Sequence, residues 1–284
     1  MGVSGVFLVS ILTTSMSALG HLPPTILRPV GSMKLIPWSF YDRIITPNGM
    51  TALKVIMVAS LLLSMVGLFT GFFTKTSAVL VLFYQGLLRS FGHYNHDEMV
   101  GVYFLLILAF TPCGDAFSVD TWRRRKTIGV EGFRYGYPVL LMMLLLAWAY
   151  FSSALIKLRV AGLDYFNSEN LPAMAIYHSL DNLHDTQFKL AFLLPTVRWF
   201  LPAVLLGVVI WELLFPVAVF WRSARWWILG AGVVFHLLTL FFMNIFFPHH
   251  LLMYLVFVDW DRIIRRIRAV PMPGFRERKP LQDW

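Results

Sequence analysis

The chain of 284 residues has a mean hydropathy of +0.68 and is 58% hydrophobic but only 14% charged. A soluble domain carries about 25% charged residues, so this composition describes an integral membrane protein. Its net charge of +9 is gathered in short loops and at the C-terminus, which excludes the continuous basic groove of a nucleic-acid binder. Cys113 is the single cysteine, which excludes an intrachain disulfide, a C-x-x-C pair, a thiolate metal cluster and a C-x-x-C-H haem site.

Residues 1–20 are apolar, lack a basic leader region and read as a first membrane-associated helix within an N-terminal segment of 1–36. Apolar runs of spanning or near-spanning length follow at 50–70, 76–92, 99–113, 137–157, 199–221 and 226–247, with a shorter one at 250–259. None alternates as a barrel strand does, and helices satisfy every backbone group in lipid. The fold class expected is therefore all-α, a polytopic bundle of about 7–8 membrane helices over residues 37–260. Residues 158–197 are too polar to span yet rich in Leu, Tyr and Phe, so they are expected to fold back as an amphipathic segment on the outer face.

Orientation follows from the basic residues. Arg123 to Lys126 place their loop in the cytoplasm, and alternation puts Lys75, Arg222, Arg225 and the basic tail 261–284 on the same side. The opposite side then receives residues 93–98, the segment after Lys157, and His249 and His250. A multi-pass membrane protein with its basic loops and C-terminus in the cytoplasm is the expected arrangement.

Four ionisable residues stand in or beside apolar runs: His96, Lys157, Glu212 and His236. An ammonium at membrane depth costs on the order of 3 kcal/mol, so Lys157 must snorkel, pair, lose its proton or take part in chemistry. Glu212 needs a partner or a proton, and Lys157 or His236 is its most interesting candidate partner. His236 alone reads as a neutral core histidine. If the four converge on one cavity, desolvation favours the neutral amine of Lys157, the usual route by which a lysine becomes a base. His93 and His96 at i, i+3, beside Asp97 and Glu98, resemble half a metal site, but no second histidine-carboxylate helix motif completes it.

The chain resembles the membrane portion of the vitamin K-dependent gamma-carboxylase family and its bacterial HTTM-domain relatives. The resemblance runs in order through G-L-F-T-G-F-F-T-K-T-S (67–77), Asn95-His96, F-S-V-D (117–120), Y-F-S-S-A-L-I-K-L (150–158), E-L-L-F-P (212–216) and F-H-L-L-T-L-F-F-M-N-I-F-F-P (235–248). It implies that Lys157 is the base that deprotonates a vitamin K-type, menaquinol-like hydroquinone. It implies further that Asn95 and His96 support the oxygenation and carbon dioxide steps, and that His236 is the histidine of the late F-H motif. Asn95, Tyr150 and Glu212 are then expected around the cofactor, with O2 and CO2 as further reactants and no metal. Ile156 stands where the family has the first of two lysines, and Ala154 where it has a glycine.

The function implied is a quinol- and oxygen-using membrane enzyme that deprotonates, carboxylates or oxidises a substrate carried by lipid, by a small molecule or by a partner protein. Two other readings compete. One is a non-catalytic membrane scaffold or electron-transfer partner. The other is a metal oxygenase of the desaturase or hydroxylase kind, ligated by His93, His96, His249 and His250. Transport is disfavoured because no repeated or broken helices are evident.

Overall fold

The computed structural model describes residues 2–92, 96–115, 118–124, 132–181, 190–260 and 262–263; for 96, 97, 124, 132–134 and 181 it describes the backbone alone. The described residues form helices and short 3-10 turns, with no strand among them. In chain order these are α1 (Gly2–Thr13), α2 (Met16–Leu19), α3 (Trp38–Ile44), α4 (Pro47–Val66), α5 (Thr70–Ser90), α6 (His96–Ala109) and α7 (Val119–Arg124). There follow α8 (Gly132–Ala161), α9 (Asn170–Asp181), α10 (Leu201–Leu214), α11 (Val217–Phe220), α12 (Arg222–Met243) and α13 (Pro248–Met253).

Local chemistry sets the ends of the long helices. The Thr46 hydroxyl accepts the Gly49 N–H at 3.0 Å and Pro47 is the first helical residue, two features that start a helix. Gly67 ends the same helix at φ 72°, and a side chain there would run into Ser118, so glycine is required on both counts. At the start of α5, the Asp120 carboxylate accepts the N–H groups of Phe69 at 3.0 Å and Thr70 at 2.7 Å and the Thr70 hydroxyl at 2.9 Å. Asp120 thus caps a helix fifty residues upstream with a negative charge at its positive end.

Five helices are long and apolar enough to cross a membrane: Pro47–Val66, Thr70–Ser90, Tyr135–Phe166, Leu190–Leu214 and Arg222–Met243. Three sequence boundaries shift. The second apolar run begins at Thr70 rather than 76, because Asp120 allows polar Thr70 to open the helix. The run expected at 199–221 starts as a 3-10 segment at Leu190 and ends at Leu214, where Pro216 follows. The stretch at 250–259 divides into α13 and a 3-10 turn, Tyr254–Phe257.

Two large cores are joined by α6. Its Val102, Leu105 and Ala109 pack with α1, α4 and α5, while Val100 and Phe104 pack against Leu146, Tyr150 and Phe257 of the second core. Beyond Glu98 this helix is apolar on nearly every side, as suits an element that packs into two cores at once. The spans otherwise bury only 22–44% of their apolar windows, so most of their outer surface is apolar side chain that lipid must solvate. The polar segment after Lys157 does form a short helix, α9, which packs on α12 and on the 190–200 turn, with the Ser179 hydroxyl donating to Phe242 O at 3.4 Å.

Candidate functional site

The site is written along one face of α8. Tyr150, Ser153, Ala154 and Lys157 fall at i, i+3, i+4 and i+7, the spacing that aligns side chains on a helix. Packed against this face, α10 contributes Trp211 and Glu212, and Phe215 follows at its end. Ile156, by contrast, is 60% exposed and faces outward. The helix therefore turns its lysine inward and its isoleucine toward lipid.

The first polar group is an ion pair. Lys157 Nζ lies 2.5 Å from Glu212 Oε1, and the Ser153 hydroxyl donates to the same oxygen at 3.3 Å. The Glu212 side chain is 3% exposed and that of Lys157 is 24% exposed. Lys157 is thus paired rather than snorkelling. Glu212 Oε2 is buried and makes no hydrogen bond among the described residues. The Tyr165 ring stands 5.8 Å from Lys157 Nζ, so an aromatic surface borders the ammonium.

The second group is a hydrogen-bonded chain two turns down the same helix. Tyr150 Oη is 2.6 Å from His236 Nε2 and 2.8 Å from Tyr254 Oη. One phenol between a second phenol and an imidazole admits two proton arrangements. In one, Tyr254 donates to Tyr150 and Tyr150 to His236; in the other, both directions reverse with the imidazole tautomer. The Tyr150 ring is held by Phe215, stacked at 4.2 Å, and by Trp211 at 5.0 Å, whose indole N–H donates to Ile228 O at 2.9 Å. His250 lies beside this chain, its ring 5.6 Å from that of His236 and 5.7 Å from that of Tyr150. Burial, with a smaller contribution from His249, pushes the His250 imidazole down to about 4, so it is neutral at ordinary pH. Burial likewise raises the Tyr254 phenol and keeps it protonated.

Of the four residues expected to converge, the structure pairs Lys157 with Glu212 and ties His236 to Tyr150. The two groups share α8 but are separate hydrogen-bonded units, about 10 Å apart along the helix at 1.5 Å per residue. His96 opens α6, but its side chain, like that of Asp97, lies outside the described residues, as do Asn95 and His93. Their neighbour Glu98 is buried in the other half of the bundle. It accepts from the Ser10 hydroxyl at 2.8 Å and from the Gln85 amide, tying α1, α5 and α6 together.

The histidines expected as metal ligands diverge where they are described. His249 packs on Phe7 at 4.9 Å, whereas His250 turns to Phe247 and the Tyr150 chain. Among the described residues, no group of three His, Cys, Asp or Glu side chains is placed to hold a metal ion.

Tyr254, Ser153, Tyr165 and His250 complete the two groups without having been singled out for them. Tyr254 had a legible signal, a phenol inside an apolar run that needs a hydrogen-bond partner. Ser153 was readable as the residue one turn before Lys157. Comparison with protein-family profiles, curated proteins and solved structures finds no match to this chain.

Proposed function

We propose that this chain is a multi-pass membrane enzyme in which Lys157, supported by Glu212, removes a proton from the hydroxyl of a vitamin K-type hydroquinone. The observation that carries the reading is the Lys157–Glu212 pair at 2.5 Å, with Glu212 shut away from solvent. Charges are costly in such surroundings, a buried pair adds little net stability, and an ionisable residue within a span is by default a functional candidate. The resemblance of the motif order to that of the carboxylase-like family suggests the chemistry.

The residues fit a hydroxyl-bearing aromatic ring. Lys157 keeps a part of its surface open and the Tyr165 ring offers a face beside it, while Glu212 stays enclosed behind the amine. When bound, the hydroquinone with O2 would supply the oxidising power and the strong base for a carbon-bound proton, with CO2 as the group added. The chain's own part is acid–base. The neutral amine takes the hydroxyl proton, and the Glu212 carboxylate stabilises the ammonium so formed. The ion pair is the state after proton capture, and loss of that proton readies the amine again. Tyr150 and His236 hold a movable proton in a separate unit two turns away, and Asn95 and His96 are assigned to the later steps.

The remaining assignments belong to the same reading. Packed between spans, α1 and α6 are taken as membrane-embedded, which raises the count toward seven or eight, and the basic loops are taken as cytoplasmic. The test is hydroquinone-dependent oxygen uptake by the purified chain in lipid. The wild type is expected to consume oxygen and Lys157→Met to consume none while remaining folded; equal uptake by both removes the proposal. A second reading is favoured by the closure of the pair itself, since a satisfied Lys–Glu bridge also serves a scaffold that clamps α8 to α10. Absence of hydroquinone binding by the wild type selects it.

A further inference from the structure

The bundle end opposite Lys157 carries a feature that the proposed chemistry does not use. A cavity of about 580 Å³ opens between the start of α12, the N-terminal half of α8 and residues 256–259 and 262–263. Its polar rim is Arg222, Ser223, Arg225, Asp259 and Arg262, with Trp226 beside them. Its floor is apolar, formed by Val139, Met143, Val256 and Phe257. A second cavity of about 800 Å³ shares Val139, Arg222, Val256, Val258 and Asp259 with it and extends the groove to Gly2 and Trp260.

The rim is unevenly charged. Among the described residues of the rim, three guanidinium groups face one carboxylate, a local excess of two positive charges (+3 − 1). Arg225 is already committed to the frame, donating from Nε to Ala218 O at 2.9 Å and from its terminal nitrogens to Val219 O and Phe257 O at 3.2 Å. Asp259 accepts the Arg262 backbone N–H at 3.0 Å, which ties the carboxylate to its own turn. Arg222 and Arg262 are exposed and, among the described residues, form no salt bridge. Trp226 and Trp260, 60% and 48% exposed, are amphipathic rings of the kind enriched at the headgroup level of a bilayer.

We infer that this groove binds the headgroup of an anionic phospholipid, with Arg222 and Arg262 clasping the phosphate and the apolar floor receiving the first methylenes of an acyl chain. Each part of the surface selects one property of that ligand. Guanidinium forks match phosphate oxygens two at a time. The excess of positive charge selects a headgroup of net negative charge over a zwitterionic one. A floor of Val, Met and Phe has nothing to offer a free phosphate ion, whereas it continues into the lipid-facing surface for a molecule with tails. Basic pockets between membrane helices are where such headgroups lodge. The inference is independent of any role of Lys157.

The full-length protein, purified from bilayers containing phosphatidylglycerol and phosphatidylcholine, tests this by native mass spectrometry of the lipid it retains. From the contribution of basic residues at an anionic surface, the wild type is expected to raise the phosphatidylglycerol-to-phosphatidylcholine ratio of its retained lipid on the order of tenfold over the bulk ratio. R222Q/R262Q is expected to fall to the bulk ratio, and the exposed control K75Q to behave as wild type. R222K/R262K, which keeps the charge but loses the fork, is expected between the two. An unchanged ratio in R222Q/R262Q overturns the inference. Complete displacement of the lipid by excess inorganic phosphate also overturns it, because the site is then one for a soluble anion. Should R222Q/R262Q not fold, salt decides on the wild type alone: enrichment must decline as ionic strength rises, and enrichment indifferent to salt refutes the arginine clasp.

Discussion

Removing one member of the Lys157–Glu212 pair leaves the other charged in apolar surroundings, and the cost can be worked from the structure. Glu212 is almost fully enclosed, with its side chain 3% exposed and only Ser153 as a further donor, whereas Lys157 keeps 24% of its side chain open. Lys157→Met therefore strands the better-buried charge and is expected to cost about 3–5 kcal/mol unless Glu212 takes up a proton. Glu212→Gln keeps an oxygen to accept from Nζ and leaves the ammonium its partial opening to solvent, so about 1–3 kcal/mol is expected. Lys157→Met/Glu212→Leu removes both charges and should recover most of the stability, since an apolar replacement of a buried pair is often neutral or better. The assay is a double-mutant cycle closed by Lys157→Met, Glu212→Leu and their combination, followed by thermal or denaturant unfolding in a mild detergent, with a coupling of about 3 kcal/mol or more expected. Additive single effects, with a double variant no more stable than Lys157→Met, would refute the view that each charge depends on the other.

Three further predictions follow from separate parts of the molecule. Tyr150→Phe removes the hydroxyl that joins Tyr254 to His236; a loss of about 1–3 kcal/mol is expected from two buried groups left without their shared partner, measured by unfolding in detergent. Asp120→Ala strips three hydrogen bonds and a negative charge from the start of α5; about 1–2 kcal/mol should be lost, with hydrogen exchange of the Phe69 and Thr70 amides rising first. For His250, the folded imidazole lies at about 4 against 6.5 when exposed, so the unfolded chain binds the proton first as pH falls. Stability should be full above pH 6.5 and decline between 6.5 and about 4, by on the order of 3 kcal/mol, and His250→Phe should flatten that slope in a pH series of melting curves.

The helices were legible because lipid imposes one rule on every residue of a span. Apolar length alone located the runs that become α4, α5, α8 and α12, whose windows have mean hydropathies of 1.2–2.2. Their ends were less legible, because the deciding contacts are distant in sequence. Nothing near Thr70 announces that Asp120 will cap it, and nothing in 199–221 shows that the turn at Phe215 will close over Tyr150. At the site, the cost of a buried charge predicted that Lys157 and Glu212 needed partners, and each is the other's. The same argument could not assign His236 to Tyr150 rather than to Glu212, because a neutral imidazole accepts from a phenol as readily as it serves a carboxylate. Equally, identical neighbours such as His249 and His250 give no sign that one turns to α1 and the other to α8.

The central claim is that Lys157 takes the hydroquinone proton, and the most direct measurement isolates that step from all later ones. Under strict exclusion of oxygen the later chemistry cannot proceed, and ionisation of a naphthohydroquinone bound to the purified chain can be followed by its absorbance in a stopped-flow mixing experiment. Wild type is predicted to ionise the bound hydroquinone and Glu212→Gln to do so more slowly, while Lys157→Met binds it and leaves it protonated. Ionisation by Lys157→Met at the wild-type rate would contradict the account.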